Sequence, residues 1–488
     1  MPRRHMHMTG ADGAALSAAL RDLRTRLDVP REFPAAVRAE AERAAKASRP
    51  PTPAVDATGL PLFTIDPPAS TDLDQAMHLA RRPGGGYRVH YAIADVAAFV
   101  TPGGALDAEA HRRVTTLYFP DGKVPLHPPV LSEGAASLLP DQTRPALLWR
   151  LDLDAEGRVE ITDVRRALVR SRAKLDYEGV QKAIDDGTAE ESLALLEDIG
   201  RLRETLETER GGISLNVPEQ EVVEQDGTYT LAYRAPLPAD GWNAQISLMT
   251  GMAAADLMIA SGTGILRTLP SAPDGAVGRL QRTASALRID WPHHVPYAQL
   301  IRSLDPSRPA HAAFLQECTA LLRGAGYTAF TNGEVPSPAL HAAVAAPYAH
   351  CTAPLRRLVD RYAGELCLAA VAGTAPPEWA VAALATLPQE MADGSRLANA
   401  VERGCVDLVE AALLKDHVGE TFEATVIDVK DREPTVGTVH LEDPAVVGRV
   451  ESAAAPLPLG SRIRVRLAAA DPAAVGAAGP AGVLFTVA

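Results

Sequence analysis

The sequence predicts a mixed α/β body that follows a short helical segment and precedes a small all-β barrel of the OB type. Apolar residues recur at three- and four-residue steps between residues 12 and 48, which is typical of helices. Strand-like runs and helical patterns are then mixed through the middle of the chain. After Gly419, short strand-like runs return, and their number and length suit a five-stranded barrel.

Composition and turn residues divide the chain into three parts. It has 488 residues, of which 47% are hydrophobic and 22% charged, an ordinary globular composition. The proline-rich run that begins at Arg49 reads as a linker. We therefore expect a helical segment and linker at residues 1–50, the α/β body at residues 51–417, and the barrel at residues 418–488.

Charge, hydropathy and cysteine usage exclude several classes of protein. A net charge of −13 argues against a protein that coats nucleic acid with lysines, but it allows a local basic groove. No apolar run approaches the ~20 residues that span a membrane, and no apolar signal region follows the basic start. We expect no membrane partner. The cysteine spacing predicts free thiols without a disulfide partner, in the cytoplasm.

The α/β body begins with strands and continues with helices. Residues 60–66 form a short apolar run, and residues 87–93 alternate with period two after a glycine-rich turn. Strands are also predicted at residues 146–153 and 159–164. Helical patterns dominate at about residues 175–210, 242–260, 310–325, 355–372 and 392–416.

Three aspartates lie close together directly after the first predicted strand. Asp66 ends that strand, two prolines turn the chain, and Asp72 and Asp74 follow two positions apart. Side chains two apart in an extended segment point to one side. Three carboxylates brought together need a cation, and oxygen ligands without cysteine select Mg²⁺ or Mn²⁺. The alternative is that these residues only stabilise turns in a surface loop.

A basic segment near residue 356 complements the acids. Pro354 and the apolar residues after it predict a helix that begins at about residue 353, with Arg356 and Arg357 in its first turn. Backbone N–H groups and two guanidinium groups would together bind phosphate. Alternatively, the arginines are solvated or pair with acids such as Asp360. Metal-holding acids and a separate phosphate site are the two parts of a phosphoryl-transfer site.

These segments resemble the RNB catalytic domain of the ribonuclease II and ribonuclease R family. Ile65-Asp-Pro-Pro-Ala-Ser-Thr-Asp-Leu-Asp is similar to its acidic signature, and Thr352-Ala-Pro-Leu-Arg to its Thr-Ser-Pro-Ile-Arg motif. Further motifs occur in family order: Tyr91-Ala-Ile-Ala-Asp, Tyr118-Phe-Pro, Ser137-Leu-Leu-Pro and Ser171-Arg-Ala-Lys-Leu-Asp-Tyr. The resemblance extends over about residues 58–416, and the family commonly ends in an RNA-binding OB domain.

The resemblance implies a Mg²⁺-dependent enzyme (Mn²⁺ being the alternative metal) that hydrolyses single-stranded RNA from 3′ to 5′ into nucleoside 5′-monophosphates. We expect a monomer. The implied metal ligands are Asp66, Asp72, Asp74 and Gln75. The implied catalytic residues are Asp74, beside the metal and the attacking water, and Arg356 and Arg357 at the phosphate. The implied substrate contacts are Tyr177, which would stack on a base near the 3′ end, and Tyr118, His350 and Thr352.

Two segments depart from the family pattern. Gln75 stands where the signature has a fourth acid, and an uncharged amide should hold a second metal ion more weakly. The helix that usually carries a Glu-Glu pair reads Asn243-Ala-Gln-Ile-Ser-Leu-Met. Two other hypotheses therefore stay open: a catalytically impaired RNA-binding protein on the same fold, and a metal-dependent phosphohydrolase of small nucleotides.

The barrel carries a strand with a basic face. Arg462, Arg464 and Arg466 alternate strictly with apolar residues, so one face is basic and the other belongs to the core. Phe422 and Phe485 lie in apolar patterns and are expected to be buried. The barrel would then bind RNA mainly through charge, unless the arginines only solvate an edge strand.

Overall fold

Two helices precede the sheet, and both pack onto later parts of the chain. The computed structural model describes residues 14–47, 55–215, 219–225, 228–234, 236–272, 275–306, 308–322, 324–337, 339–430, 432–441, 444, 446–472 and 482–488. The first helices are α1 (Ala14–Arg26) and α2 (Ala35–Ala47). Leu20 and Leu23 of α1 share one apolar cluster with the barrel. Val37 of α2 packs against the sheet, so residues 14–47 confirm the predicted helices, whereas the predicted linker from Arg49 lies outside the described residues.

A buried arginine fixes the segment that enters α2. The Arg113 guanidinium lies 3.7 Å from the centre of the Phe33 ring. It also donates to the backbone carbonyl oxygens of Pro30 and Glu32, at 3.5 and 3.0 Å. Glu109 balances its charge at 2.7 Å. A cation stacked on a ring and bonded to two carbonyls holds this segment in one position.

The central sheet closes on itself. Its part of the chain contains β1 (Val55–Asp56), β2 (Leu62–Ile65), β3 (Gln75–Arg81), β4 (Tyr87–Ala94), α3 (Ala105–Arg113), β5 (Leu117–Phe119), β6 (Gly122–Val124), β7 (Thr143–Leu153) and β8 (Val159–Leu175). The strand order is β1-β8-β2-β3-β4-β7, and β7 also pairs with β8. Tyr91 and Trp149 point to the face covered by the helices Glu191–Glu209, Pro238–Ser261 and Leu358–Ala372. Ala92 and Ala146 point to the opposite face, against α2 and α3.

Helices dominate the chain between the sheet and the barrel. The elements are α4 (Tyr177–Asp185), α5 (Glu191–Glu209), β9 (Glu219–Gln225), β10 (Thr228–Arg234), α6 (Pro238–Ser261), β11 (Gly264–Thr268), α7 (Ala276–Ala286), α8 (Tyr297–Ser303), α9 (Pro309–Cys318), β12 (Gly326–Phe330), β13 (Leu340–His341), β14 (Ala346–Pro347), α10 (Leu358–Ala372), α11 (Glu378–Ala383) and α12 (Leu387–Leu414). All five helical regions predicted from the sequence contain helices. The short strands β9–β14 and helices α7, α8 and α11 were not predicted.

Helix α6 corrects one expectation. It is 24 residues long and, by length and composition alone, apolar enough to cross a membrane. The expectation that no apolar run approaches this length was therefore wrong. Trp242, Ile246 and Met258 of α6 are buried in the core formed with the sheet, α5 and α10. A helix surrounded by packing partners needs apolar residues on nearly all sides, which explains its composition.

The last part of the chain is a closed five-stranded barrel, which confirms the predicted fold class. Its strands are β15 (Thr421–Lys430), β16 (Glu433–Leu441), β17 (Val446–Glu451), β18 (Arg462–Ala470) and β19 (Val483–Val487), in the order β15-β16-β17-β19-β18. Arg462, Arg464 and Arg466 are exposed, while Val465 and Leu467 are buried. Because β18 pairs with both β15 and β19, it is no edge strand, and that alternative for the arginines was wrong.

The aromatic residues of the barrel behave almost as predicted. Phe485 is fully buried, and Phe422 is partly buried and meets it edge to face, with ring centres 6.3 Å apart. The barrel core is continuous with Leu408 of α12 and Leu20 of α1 in one cluster. The barrel therefore packs against helices α1 and α12 through a shared apolar core.

Helices α5 and α6 approach each other closely at a glycine, so a larger residue at that position should destabilise the protein. A Cβ on Gly200 of α5 would lie 2.5 Å from side-chain atoms of Trp242 on α6. Gly200→Ala should lower the free energy of unfolding by about 1–3 kcal/mol, because an overpacked core must shift. Gly278→Ala in α7 is the matched control, since nothing lies within 4 Å of its added Cβ. That variant should gain up to about 1 kcal/mol from helix propensity. Equal denaturant midpoints for the two variants would contradict the close crossing.

Candidate active site

The acidic segment between β2 and β3 is held by hydrogen bonds from a distant part of the chain. The Ser137 hydroxyl accepts from the Leu73 N–H at 2.9 Å and donates to the Thr71 carbonyl oxygen at 2.7 Å. The Asp66 N–H donates to the Leu175 carbonyl oxygen at 3.0 Å. These bonds hold the chain on both sides of the turn, so the carboxylates are placed by the backbone.

Lys174 closes the turn between Asp66 and Asp72. Its ammonium donates to the carbonyl oxygens of Pro68 and Ser70, each at 2.6 Å. The prolines and this lysine leave the turn few alternative conformations. Lys174 therefore stabilises the turn that carries Asp66 and Asp72.

Asp74 is the most enclosed of the three aspartates, at 6% exposure. One carboxylate oxygen accepts from the Leu355 N–H at 2.8 Å, and the other lies 3.5 Å from Nε of Arg356. Burial raises the pKa of Asp74 to about 8, although Arg356 and the Leu355 N–H act to lower it. Asp74 thus connects the acidic segment with the basic segment.

The other two aspartates lie in the same electrostatic environment. Burial raises the pKa of Asp66 to about 7; nearby Arg356 opposes this shift, and the Asp72 carboxylate adds to it. Asp72 itself accepts a hydrogen bond from the Lys123 ammonium at 2.6 Å. The structure therefore gathers all three predicted aspartates around Arg356 and Lys123.

These acids fit a hard divalent cation. In the described part of the chain, no group of three or more His, Cys, Asp or Glu side chains already has the spacing of a metal cluster. However, the local donors are all oxygens, which suit Mg²⁺ or Mn²⁺. Lys123 and Arg356 already bring positive charge to Asp72 and Asp74. Burial still raises the pKa of both Asp66 and Asp74, so further positive charge would be favourable.

Gln75 begins β3 and faces the neighbouring loop. Its amide nitrogen donates to the Thr352 carbonyl oxygen at 2.5 Å. The Thr352 hydroxyl accepts from Ser247 of α6 at 3.0 Å, and the Ser247 hydroxyl is 3.3 Å from that of Tyr91. Gln75 is thus oriented by the backbone of Thr352, and the Thr352 hydroxyl is bonded to Ser247 in a partly buried polar network. The roles of Gln75 in metal binding and of Thr352 in substrate binding stay predictions.

The basic segment differs from the predicted helix start. Helix α10 begins at Leu358, not at about residue 353, so Arg356 and Arg357 precede it and do not lie in its first turn. Arg357 has an extended backbone and directs its guanidinium to Asp360, at 2.9 and 2.8 Å. Arg356 faces Asp74 instead. The alternative of pairing with Asp360 therefore describes Arg357, whose predicted catalytic role gains no support from this geometry.

Tertiary hydrogen bonds explain the late start of α10. The Asp360 carboxylate accepts from the Ala353 N–H at 2.7 Å, and Asp74 takes the Leu355 N–H. The Arg356 carbonyl accepts from the Thr116 N–H at 3.0 Å. Because these groups have partners elsewhere, residues 353–357 form a turn rather than the first turn of the helix.

The residues predicted to contact substrate have different partners inside the protein. Tyr177, the first residue of α4, accepts a hydrogen bond from Asn243 of α6 at 3.0 Å. Burial and, to a smaller extent, the nearby Asp66 carboxylate raise its pKa, so the Tyr177 hydroxyl lies near one of the three aspartates. Tyr118 lies opposite Lys123 in the β5–β6 hairpin. His350 is 2.7 Å from the Tyr327 hydroxyl and packs edge to face against Tyr327 and Tyr348. Their contacts with substrate stay predictions.

Sequence reasoning missed Lys123 and Ser247. Lys123 follows Asp121-Gly122, a dipeptide typical of tight hairpin turns, and this signal could have placed it beside Tyr118. Its approach to Asp72 has no local signal. Ser247 lies in the segment that departs from the family pattern, where its hydroxyl joins Thr352 and Tyr91.

Comparisons with known proteins agree with this arrangement. Residues 54–372 match the RNB domain, and residues 420–476 match the RNase II-type exonuclease C-terminal S1 domain. Ribonuclease R of Escherichia coli is 28% identical over 451 residues, which cover 86% of this chain and 53% of that protein. An Arabidopsis thaliana protein named inactive exonuclease DIS3L2 is 44% identical over 132 residues, 27% of this chain and 12% of that protein.

A solved structure shows the same fold. Mycoplasma genitalium RNase R, in complex with ribose-methylated single-stranded RNA, has a TM-score of 0.82 and 18% identity, and the match covers 98% of this chain and 79% of that one. The chain spans about half the length of the curated relatives it matches. Because the RNB domain match extends over most of the chain, from residue 54 to residue 372, the protein belongs to the RNB-domain family of ribonuclease II and ribonuclease R.

Proposed function

We propose that this protein is an exoribonuclease that hydrolyses single-stranded RNA from 3′ to 5′ and releases nucleoside 5′-monophosphates with Mg²⁺ or Mn²⁺. The observation that carries the proposal is the ion pair between Asp74 and Arg356, at 3.5 Å, within a group of three aspartates. A centre with acids for a metal and a guanidinium for a phosphate suits phosphodiester hydrolysis. The RNA in the Mycoplasma structure supports RNA as the substrate.

The side chains divide the work by charge. Asp66, Asp72 and Asp74 would hold the cation, which supplies Lewis-acid polarisation of the phosphate and a more acidic water. Asp74 orients Arg356, whose side chain is 38% exposed, so the guanidinium can present its other N–H groups to a phosphate. The Asp360–Arg357 pair holds the turn that carries Arg356.

The competing proposals differ in the substrate that the protein would cleave. A catalytically impaired RNA-binding protein is favoured by Gln75 in place of a fourth acid. The 44% identity over 132 residues does not discriminate, because relatives named DIS3-like exonuclease 2 and inactive exonuclease DIS3L2 share it. A phosphohydrolase of small nucleotides would cleave mononucleotides or cyclic dinucleotides. A time course on 5′-labelled single-stranded RNA, with Mg²⁺ or with chelator, separates the exonuclease from the impaired form, and turnover of mononucleotides or cyclic dinucleotides would identify the phosphohydrolase. Progressive shortening that needs Mg²⁺ supports the exonuclease, and intact RNA with bound protein supports the impaired form.

The first prediction of the mechanism concerns Asp74→Asn. Asparagine keeps an oxygen for the Leu355 N–H but loses the charge that faces the cation and Arg356. Cleavage should be abolished, while the affinity for RNA in a filter-binding assay stays within about threefold, since phosphate contacts dominate that affinity. Asp198→Asn is the control, because Asp198 lies on α5, is exposed and pairs with Arg81. Near-normal cleavage by the Asp74 variant would remove this carboxylate from the mechanism.

The two neighbouring arginines should respond differently to lysine. Arg356→Lys keeps the charge but loses the planar fork for phosphate oxygens, so the rate of turnover should fall on the order of 100-fold with little change in thermal stability. Arg357→Lys breaks the paired hydrogen bonds to buried Asp360 and should chiefly lower the melting temperature. Single-turnover kinetics and thermal melting measure the two effects. The reverse pattern would assign the phosphate to Arg357.

The exposed arginines of β18 should supply salt-dependent RNA binding. Replacing Arg462 and Arg464 together with glutamine should reduce the slope of log affinity against log salt by about one per lost phosphate contact. Cleavage of short oligonucleotides should be unchanged. Arg449→Gln is the matched control, because Arg449 on the same barrel pairs with Glu451 at 2.6 Å. A slope equal to that of the wild type, measured with a long single strand, would exclude this face as a phosphate-binding surface.

A further inference from the structure

Lys123 joins the proposed metal site to an acid that lies outside it. Its ammonium is 2.6 Å from Asp72 and 3.1 Å from Glu133. The side chains of Lys123, Asp72 and Glu133 are 23%, 13% and 30% exposed. An ion pair between fully exposed side chains contributes little to stability. This ammonium lies between two partly buried carboxylates, where its charge has a larger effect.

The position of Lys123 is fixed by the N-terminal helix. Lys123 lies on β6, and Asp121 at the turn of the β5–β6 hairpin forms two hydrogen bonds with Arg24 of α1, at 3.0 and 2.5 Å. The Arg24 guanidinium also lies 4.0 Å from the centre of the Phe119 ring. Arg24 therefore holds the hairpin at both Asp121 and Phe119, and this fixes the position from which Lys123 reaches Asp72.

The charges around the site show what Lys123 does without a metal. Three aspartates lie close together, Arg356 is near Asp74, and Lys123 is the cation that contacts Asp72. An ammonium and a divalent cation at the same carboxylate repel each other and compete for its oxygens. Glu133 gives the ammonium a second partner that is not one of the proposed metal ligands.

We infer that Lys123 is a built-in counter-ion of Asp72 that yields the carboxylate to the divalent cation and is then held by Glu133. This inference rests on the proposed metal site at Asp66, Asp72 and Asp74. It assigns two residues to the site, Lys123 and Glu133, that position charge without binding the cation. It also connects helix α1, through Arg24 and Asp121, to the affinity of the site for metal.

The inference predicts opposite effects for the two partners. Removing the ammonium by Lys123→Gln removes a competitor, so the cation should bind about tenfold more tightly. Without metal, the same variant removes the ion-pair partner of the mostly buried Asp72 carboxylate and should melt at a lower temperature. Removing Glu133 by Glu133→Gln leaves Asp72 as the remaining partner of the lysine, so the cation should bind several-fold more weakly.

The test measures Mn²⁺ binding to the full chain after chelator treatment, by electron paramagnetic resonance of the free ion, with melting temperatures recorded in parallel. The variants are Lys123→Gln, Lys123→Arg, Glu133→Gln and the double variant of Lys123→Gln with Glu133→Gln. Lys123→Arg keeps the charge and should bind Mn²⁺ no more tightly than the wild type. Lys430→Gln is the control, because Lys430 pairs with Glu433 in the barrel at 3.1 Å.

The double variant separates exchange of partners from simple attraction. If Glu133 acts through the lysine, Glu133→Gln has no effect once Lys123 is glutamine. If Glu133 only attracts the cation at a distance, its effect persists in the double variant, and the exchange is wrong. Unchanged or weaker Mn²⁺ binding by folded Lys123→Gln also overturns the inference. Should that variant unfold, tighter binding by Lys123→Arg than by the wild type is the overturning result.

Failure of the proposed metal site is recognised separately. If the wild type binds no Mn²⁺, or Asp72→Asn binds it as tightly as the wild type, the proposed site is wrong at Asp72, and the inference fails with it. If the wild type binds Mn²⁺ through Asp72 but Lys123→Gln does not change the affinity, the metal site stands and only the role of Lys123 is lost.

Discussion

The Asp74 carboxylate connects the two halves of the site. It accepts the Leu355 N–H across 281 positions of sequence and lies beside Arg356. The Asp74 carbonyl also accepts the Ala94 N–H at 2.9 Å, so the same residue is part of the sheet. A buried charge must be paired and hydrogen-bonded to be tolerated. Satisfying Asp74 therefore brings the end of the acidic segment and the turn before α10 together.

Charge compensation explains much of the surrounding architecture. The acidic turn is closed by Lys174, Asp72 meets Lys123, and Asp74 meets Arg356. Even so, burial raises the pKa of Asp66 and Asp74, so the protein's own cations compensate the acids only in part. The proposed chemistry requires a site that is stable enough to fold and that would still attract a divalent cation, and partial compensation of buried charge meets both requirements.

The helical N-terminus and the barrel both contribute to the same structure. Leu20 of α1, Leu408 of α12 and Phe485 of the barrel belong to one apolar cluster, and α1 also braces the hairpin that carries Lys123. The fold class and the five predicted barrel strands followed from periodicity, since alternating and helical patterns are local properties. The strands β13 and β14 were missed because two-residue strands carry too little pattern to be distinguished from loops.

The sequence by itself indicated the three aspartates and the arginine of the candidate site. The order of Asp66, Asp72, Asp74 and Arg356 within recognisable motifs was sufficient to predict a centre of acids and a guanidinium, and the structure brings them together. Only the tertiary structure decided how Arg356 and Arg357 differ, where α10 begins, and that Lys123 reaches Asp72. These features depend on hydrogen bonds and ion pairs between segments far apart in the chain. The spacing of residues within one segment cannot predict them. A backbone N–H or a charged side chain can pair with several groups, and which of these groups lies close enough is decided by the fold.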